Sequence, residues 1–207
     1  MLRMLAYQSQ LGERQCGESR ARCSAARGGT DLPSSAVKVA KTYRYYSIGG
    51  STLDAIQKQL DSRGPKVSTT GNRHAATTQF EFDSRISYQK RANGCGVASA
   101  LVTVKARVIL PHWLRPPAAS AKVRFVWDAV SADIKRHEEG HIVIAMNHAR
   151  LLEQALLAIQ RQRNCEEALD RGINVTEKLL VKHNAAQADF DRTEGINFDR
   201  RMMRLLH

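Results

Sequence analysis

Apolar and polar positions begin to alternate at Val37. In AVKVAKTYRYYSI, Val37, Val39, Tyr43 and Tyr45 fall at odd numbers, a period of two that predicts a strand closed by Gly49 and Gly50. Ser51 or Thr52 then caps a short helix with Leu53, Ile56 and Leu60 at helical spacing, stopped by Arg63-Gly64-Pro65. After a polar loop, Thr78, Phe80, Phe82, Ser84, Ile86 and Tyr88 share one side of a second strand, and RANGCG at 91–96 makes a turn. From Ala98 to Leu110 every even residue is apolar, while Lys105 and Arg107 lie on the other face. This is the pattern of half-buried antiparallel sheet. Pro111, Pro116 and Pro117 end the strand, which leaves His112 and Trp113 in an exit loop as a packed corner.

The period then changes to that of helices. Asp128 or Ser131 can cap a long helix running to about Gln162. Between Ile142 and Ile159 apolar residues cover nearly its whole circumference, which predicts burial. Arg163-Asn164-Cys165 makes a turn, and a second helix from about Glu166 to about Phe190 carries Leu169, Ile173, Val175, Leu179, Leu180 and Val181. Gly172 weakens that helix by about 1 kcal/mol. The two helices should pair as an antiparallel hairpin. The expected fold is α+β: a small antiparallel sheet with a short helix, followed by the long hairpin. Residues 1–36, rich in Arg, Gly, Ser and Gln and ending in GGTDLPSS, read as a disordered leader that need not be native coding sequence. Residues 37–207 make one domain.

The long helix carries His-Glu-Glu-Gly-His at 137–141, an H-E-x-x-H pattern. At about 100° per residue, His137 and His141 lie on one face one turn apart, so both imidazoles can reach one metal ion. Glu138 is set to the side, where its carboxylate can exchange a proton with water and a leaving amine. Glu139 points elsewhere. A five-residue pattern arises by chance, and a His pair on a helix surface often does nothing. Here the helix is predicted to be buried, and burying these groups without partners would cost on the order of 1–3 kcal/mol each. That favours a zinc site.

A catalytic zinc takes about three protein ligands and keeps one position open. His148 shares the face of His137, but its rise of about 10 Å beyond His141 is too great for one ion. Its spacing also misses the metzincin pattern, in which a Gly turn leaves the helix. The hairpin offers a better third ligand. If the turn centres near residue 164, positions whose numbers add to about 328 face each other. Asp191 then faces His137, while Asp189 and Gln187 face Glu139 and His141, and His183 falls beside Ala145. Asp191 is the expected ligand, with Asp189 and Glu194 as the neighbours that an offset turn would select. His74, His112 and Tyr88 are candidate oxyanion donors with no positional argument behind them.

Charge and cysteines narrow the function less. Lys and Arg outnumber Asp and Glu by 32 to 20, a net +12 that attracts nucleic acid, anionic lipid or acidic polymers. The basic residues do not form long runs interleaved with aromatics, so a solvated basic surface is favoured over a specific nucleic-acid groove. No apolar run is long enough to span a bilayer, and the N-terminus lacks the apolar centre of a signal peptide. The chain has four cysteines and no C-x-x-C. Cys16 and Cys23 fall in the leader, whereas Cys95 and Cys165 sit at the ends of predicted elements that a disulfide could staple, the alternative being two unrelated thiols.

TYRYYSIGGSTLDAIQKQLDSRGP, ATTQFEFD, the Cys95 strand ending VILPHW, HEEGH and HNAAQADFDRTEG together resemble a bacterial domain family of unknown function described as predicted secreted zinc-dependent proteases. The likeness covers about residues 40–200. It implies that His137 and His141 are zinc ligands and Glu138 the base, and Asp191 falls in the family's aromatic-Asp segment. It also implies export to the periplasm or beyond, although no signal is visible in this chain. The expected activity is hydrolysis of peptide bonds by a zinc-activated water with Glu138 as general base. One rival is a non-enzymatic envelope-associated binding module whose metal is structural or absent. The other, a basic nucleic-acid binder, predicts steeply salt-dependent affinity that ignores metal.

Overall fold

The computed structural model describes residues 37–67 and 71–206, so the leader expected at 1–36 lies outside the described residues. The elements in chain order are β1 (Lys38–Ile48), α1 (Leu53–Arg63), β2 (Thr77–Arg91), β3 (Gly94–Trp113), α2 (Ala121–Leu157) and α3 (Cys165–Leu206). The architecture is α+β.

The three strands lie in the order β1-β3-β2. β2 and β3 form an antiparallel hairpin turned at Ala92-Asn93, with Phe80 opposite Ala106 and Phe82 opposite Val104. β1, however, runs parallel to β3, from Lys38 opposite Thr103 to Ile48 opposite Trp113. The sheet is therefore mixed, not purely antiparallel as expected. Alternation tells which face a side chain occupies and is silent on strand direction. Here α1 and its following loop return the chain to the same end of the sheet, so β2 starts beside the end of β1 and the intervening β3 is parallel to β1.

β3 also runs through Pro111 to Trp113 instead of ending at the proline. The last β2 pair is Thr77 with Ile109, so beyond it β3 has a partner on one side only, where a missing N–H is tolerated. Trp113 is buried rather than in a loop; it packs against Trp127 and donates its indole N–H to the Gly50 carbonyl, while His112 is exposed.

α2 begins earlier than the expected cap at Asp128 or Ser131, because the Ser120 hydroxyl caps it by accepting from the Val123 N–H and Val126 and Trp127 belong to the buried face. It stops at Leu157, short of Gln162, since Gln162 leaves the helix to exchange two backbone hydrogen bonds with Cys95. A disulfide joins Cys95 to Cys165 at this corner and ties the start of β3 to the start of α3. α3 runs to Leu206, well past Phe190. Its Gly172 admits the Tyr88 hydroxyl close to the helix backbone, so the residue that weakens the helix also makes room for β2.

The inward residues of β2 and β3, including Phe80, Val102, Val104, Ala106 and Val108, pack against Val130, Ile134, Ile142, Ala145, Ala149, Leu152 and Leu156 of α2. α3 lies alongside α2 as the antiparallel hairpin, over the β2 side of the sheet. Among the described residues, no helix is long and apolar enough to cross a membrane.

Candidate metal centre

HEEGH occupies the middle of α2, and each of its residues meets a different neighbour. His137 and His141 face α3, with their Nε2 atoms 3.0 Å apart. The antiparallel register brings Asp191 opposite them, its Oδ1 lying 3.2 Å from His137 Nε2 and 3.0 Å from His141 Nε2. His141 is fully buried and Asp191 is 3 % exposed, while the His137 side chain retains 12 % of its surface.

These three atoms fit a metal ion. A tetrahedral ion with ligands about 2.0–2.1 Å away separates those ligands by about 3.3 Å. The triangle here has sides of 3.0, 3.0 and 3.2 Å. Both Asp191 carboxylate oxygens are buried, and neither is hydrogen-bonded by a donor of good geometry. An ionised carboxylate in that setting costs on the order of several kcal/mol unless a cation compensates it. The described residues bring three ligand groups together here: His137, His141 and Asp191.

Glu138 turns toward the sheet. It is 3 % exposed and accepts a hydrogen bond of 2.6 Å from the Thr78 hydroxyl of β2. Burial raises its pKa above the ordinary carboxylate value, a shift opposed by His141, His137 and the Thr78 bond. Burial works against charging His141, but its contact with Asp191 and the nearby charge of Glu138 prevail and raise its pKa.

Glu139 lies on the far side of α2, where Lys41 donates to it at 2.8 Å and the Tyr43 hydroxyl donates to its other oxygen. These bonds hold the Glu139 carboxyl below its usual pKa, and the same contact pushes Tyr43 up to about 12. Glu139 thus docks α2 on the edge strand and takes no part in the triangle.

Gly140 faces Phe190, whose ring stacks on His137 at 5.1 Å and meets His141 edge-on at 5.0 Å. A Cβ at position 140 would come within 2.3 Å of the Phe190 ring. Gly140→Ala should therefore destabilise the fold by about 1–3 kcal/mol through overpacking, although alanine favours a helix by about 1 kcal/mol. Chemical denaturation measures the change. A variant more stable than the parent would show that the ring moves aside freely.

The other sequence candidates are engaged elsewhere. Glu194 accepts from Arg136 and from Arg201, which also bonds Asp133 at 3.0 Å. Burial pushes the Glu194 pKa up, but these arginines and Asn197 outweigh it and the net shift is downward. The four charges clamp α2 to α3 about one turn from the triangle. Asp189 is exposed and pairs with Arg192. His148 hydrogen-bonds the Ile144 carbonyl, away from the triangle. Of the suggested oxyanion donors, Tyr88 lies against Gly172, His112 is exposed and His74 is buried in the loop before β2.

Two further residues support the motif. The alternation of β2 marks Thr78 only as an inward strand residue, yet a hydroxyl among phenylalanines on a buried face is a signal. Gln187 lies opposite His141 in the hairpin register, with its Oε1 2.5 Å from His141 Nδ1. An imidazole that donates from Nδ1 presents its Nε2 lone pair, the form a metal needs. His183, next along α3, is packed edge-on against Phe80 and Phe82, and burial pushes its pKa down to about 4.

No curated protein and no solved structure matches the chain. Residues 43–199, however, match a family described as bacterial protein of unknown function, DUF922. That span opens at the tyrosine that binds Glu139 and encloses HEEGH, Asp191 and Glu194, so the match covers most of the sheet, most of the hairpin and the whole triangle, and the chain belongs to the bacterial family DUF922.

Proposed function

We propose that this protein is a zinc-dependent peptidase, in which His137, His141 and Asp191 hold the ion and Glu138 is the general base. One observation carries the reading: a buried triangle of two imidazole nitrogens and one carboxylate oxygen, 3.0–3.2 Å on a side, beside a buried glutamate. Two nitrogens and one oxygen suit zinc among the common divalent ions. When bound, zinc supplies a Lewis acid that lowers the pKa of water and polarises a carbonyl.

The chain's own residues would do the rest. Glu138 accepts a proton from water as it attacks the amide carbon, then delivers that proton to the departing amine nitrogen. Thr78 holds the Glu138 carboxylate through Oε2, leaving the other oxygen for the proton. His141 is oriented by Gln187, and Phe190 covers both rings and limits water around them. Three ligands among the described residues, rather than four, favour a catalytic over a structural site, which argues against the non-enzymatic module.

The Cys95–Cys165 disulfide supports export to an oxidising compartment, because such bonds rarely persist in the cytosol. The net +12 charge is assigned to a solvated surface and not to a specific nucleic-acid partner.

The test is metal content and hydrolysis measured on the same purified chain. We expect one zinc per chain by elemental analysis, and cleavage of unfolded protein substrates that stops on chelation and returns with zinc. Zinc bound without any cleavage across a broad peptide library would favour the binding module, and no uptake at neutral pH would remove the metal reading.

A further inference from the structure

Gln187 is fully buried on α3, one turn before Asp191, and its amide meets three groups. Oε1 lies 2.5 Å from His141 Nδ1, while Nε2 lies 3.1 Å from the His141 backbone carbonyl and 2.8 Å from His183 Nε2. A backbone carbonyl can only accept, so the amide nitrogen must face it. This determines which way the amide is turned. Its oxygen then faces His141 Nδ1, and since an amide oxygen also only accepts, Nδ1 must carry the hydrogen.

The second amide hydrogen has one destination, His183 Nε2, which must therefore be the bare nitrogen of that ring. The His183 proton is then on Nδ1, 3.2 Å from Asn184 Oδ1. Phe80, Phe82 and His148 all pack edge-on around His183 and hold the ring in place. The sequence of constraints runs from the aromatic face of β2, through His183 and Gln187, to His141.

We infer that Gln187 is a positioning residue that selects the His141 tautomer with a bare Nε2, and that His183 holds the Gln187 amide in the orientation this requires. The inference rests on the proposed metal site and adds to it the device that prepares one of its ligands before the ion arrives. Without that device an imidazole divides its proton between two nitrogens, and part of the population presents an N–H where a lone pair is needed.

The experiment uses the full chain with ¹⁵N-labelled histidine, stripped of metal and held at a pH where His141 is neutral. Nitrogen chemical shifts report the tautomer, and competition against a chromophoric chelator reports zinc affinity. The parent should show His141 protonated at Nδ1. Gln187→Met, close in volume but without the amide, should give mixed tautomers and a zinc affinity lower by about 10- to 100-fold. Gln187→Glu, which still accepts from Nδ1, should retain the parent tautomer. His141 protonated at Nε2 in the parent, or an unchanged tautomer and affinity in Gln187→Met, would overturn the inference. If the parent takes up no zinc, the metal reading fails while the tautomer signals still decide the part played by Gln187. If the methionine variant does not fold, the parent and Gln187→Glu spectra decide it.

Discussion

Asp191→Ala is expected to lower zinc affinity by roughly three orders of magnitude while leaving the helix hairpin folded. Zinc in small protein sites is held by about 10–16 kcal/mol over its ligand set, so one ligand accounts for about 4 kcal/mol, or three decades of affinity. Asp191 is the one anionic member of the triangle and the one supplied by α3, so its removal leaves two imidazoles on a single helix. The fold should tolerate the change, because the hairpin is also held by the Asp133–Arg136–Glu194–Arg201 clamp, and the disulfide at its other end anchors the start of α3 to the sheet. Helical content by circular dichroism should match the parent, while chelator competition records the loss. Parent-like affinity in a folded Asp191→Ala would mean that the ion, if bound, is held by other groups.

The second large effect is on rate rather than binding. Glu138→Gln should reduce kcat/KM by roughly 10²- to 10⁴-fold, the usual contribution of a positioned general base, with zinc content unchanged. Glutamine keeps the volume and can still accept from Thr78, but it cannot take up a proton. The pH profile should carry the same signature. Burial is the largest influence on Glu138 and raises its pKa, so acidification protonates the base at a higher pH than it would a solvated glutamate. Activity should therefore be present above that pKa and fall as pH drops through it. Loss of zinc in Glu138→Gln would instead assign the carboxylate to holding the site, and undiminished cleavage would transfer the role of base to another group.

The hairpin was legible for a simple reason. Two antiparallel helices advance by the same rise per residue, so locating the Arg163-Asn164-Cys165 turn sets which residues face each other along their length. That register put Asp191 opposite His137 and Gln187 opposite His141, as the structure has them. It held although α2 leaves its helix at Leu157, because the α3 start at Cys165 keeps the pairing centred near the same point. The ends of the helices were less legible: a serine after two prolines, Ser120, is a weaker signal than Asp128, yet the buried Trp127 required the earlier start.

The sheet shows the other limit. The inward positions from Phe80 to Ile86 and from Ala100 to Leu110 followed from alternation, since the side-chain period of a strand is a local property. The parallel direction of β1 did not, because it depends on where α1 and a polar loop deliver the chain. The partners of the three residues between His137 and His141 were equally out of reach. Thr78 for Glu138, Lys41 and Tyr43 for Glu139, and Phe190 against Gly140 come from three different elements.

What the sequence determined by itself is what neighbouring residues settle between them: the elements, their buried faces, the common face of His137 and His141, and the residues of the second helix that lie opposite them. Tertiary structure alone decided the direction of β1, the burial of Glu138 against Thr78, the closure of the triangle to 3.0–3.2 Å, and the amide of Gln187 turned toward His141. Those features depend on contacts between residues tens of positions apart, and such contacts form only when the hairpin packs on the sheet.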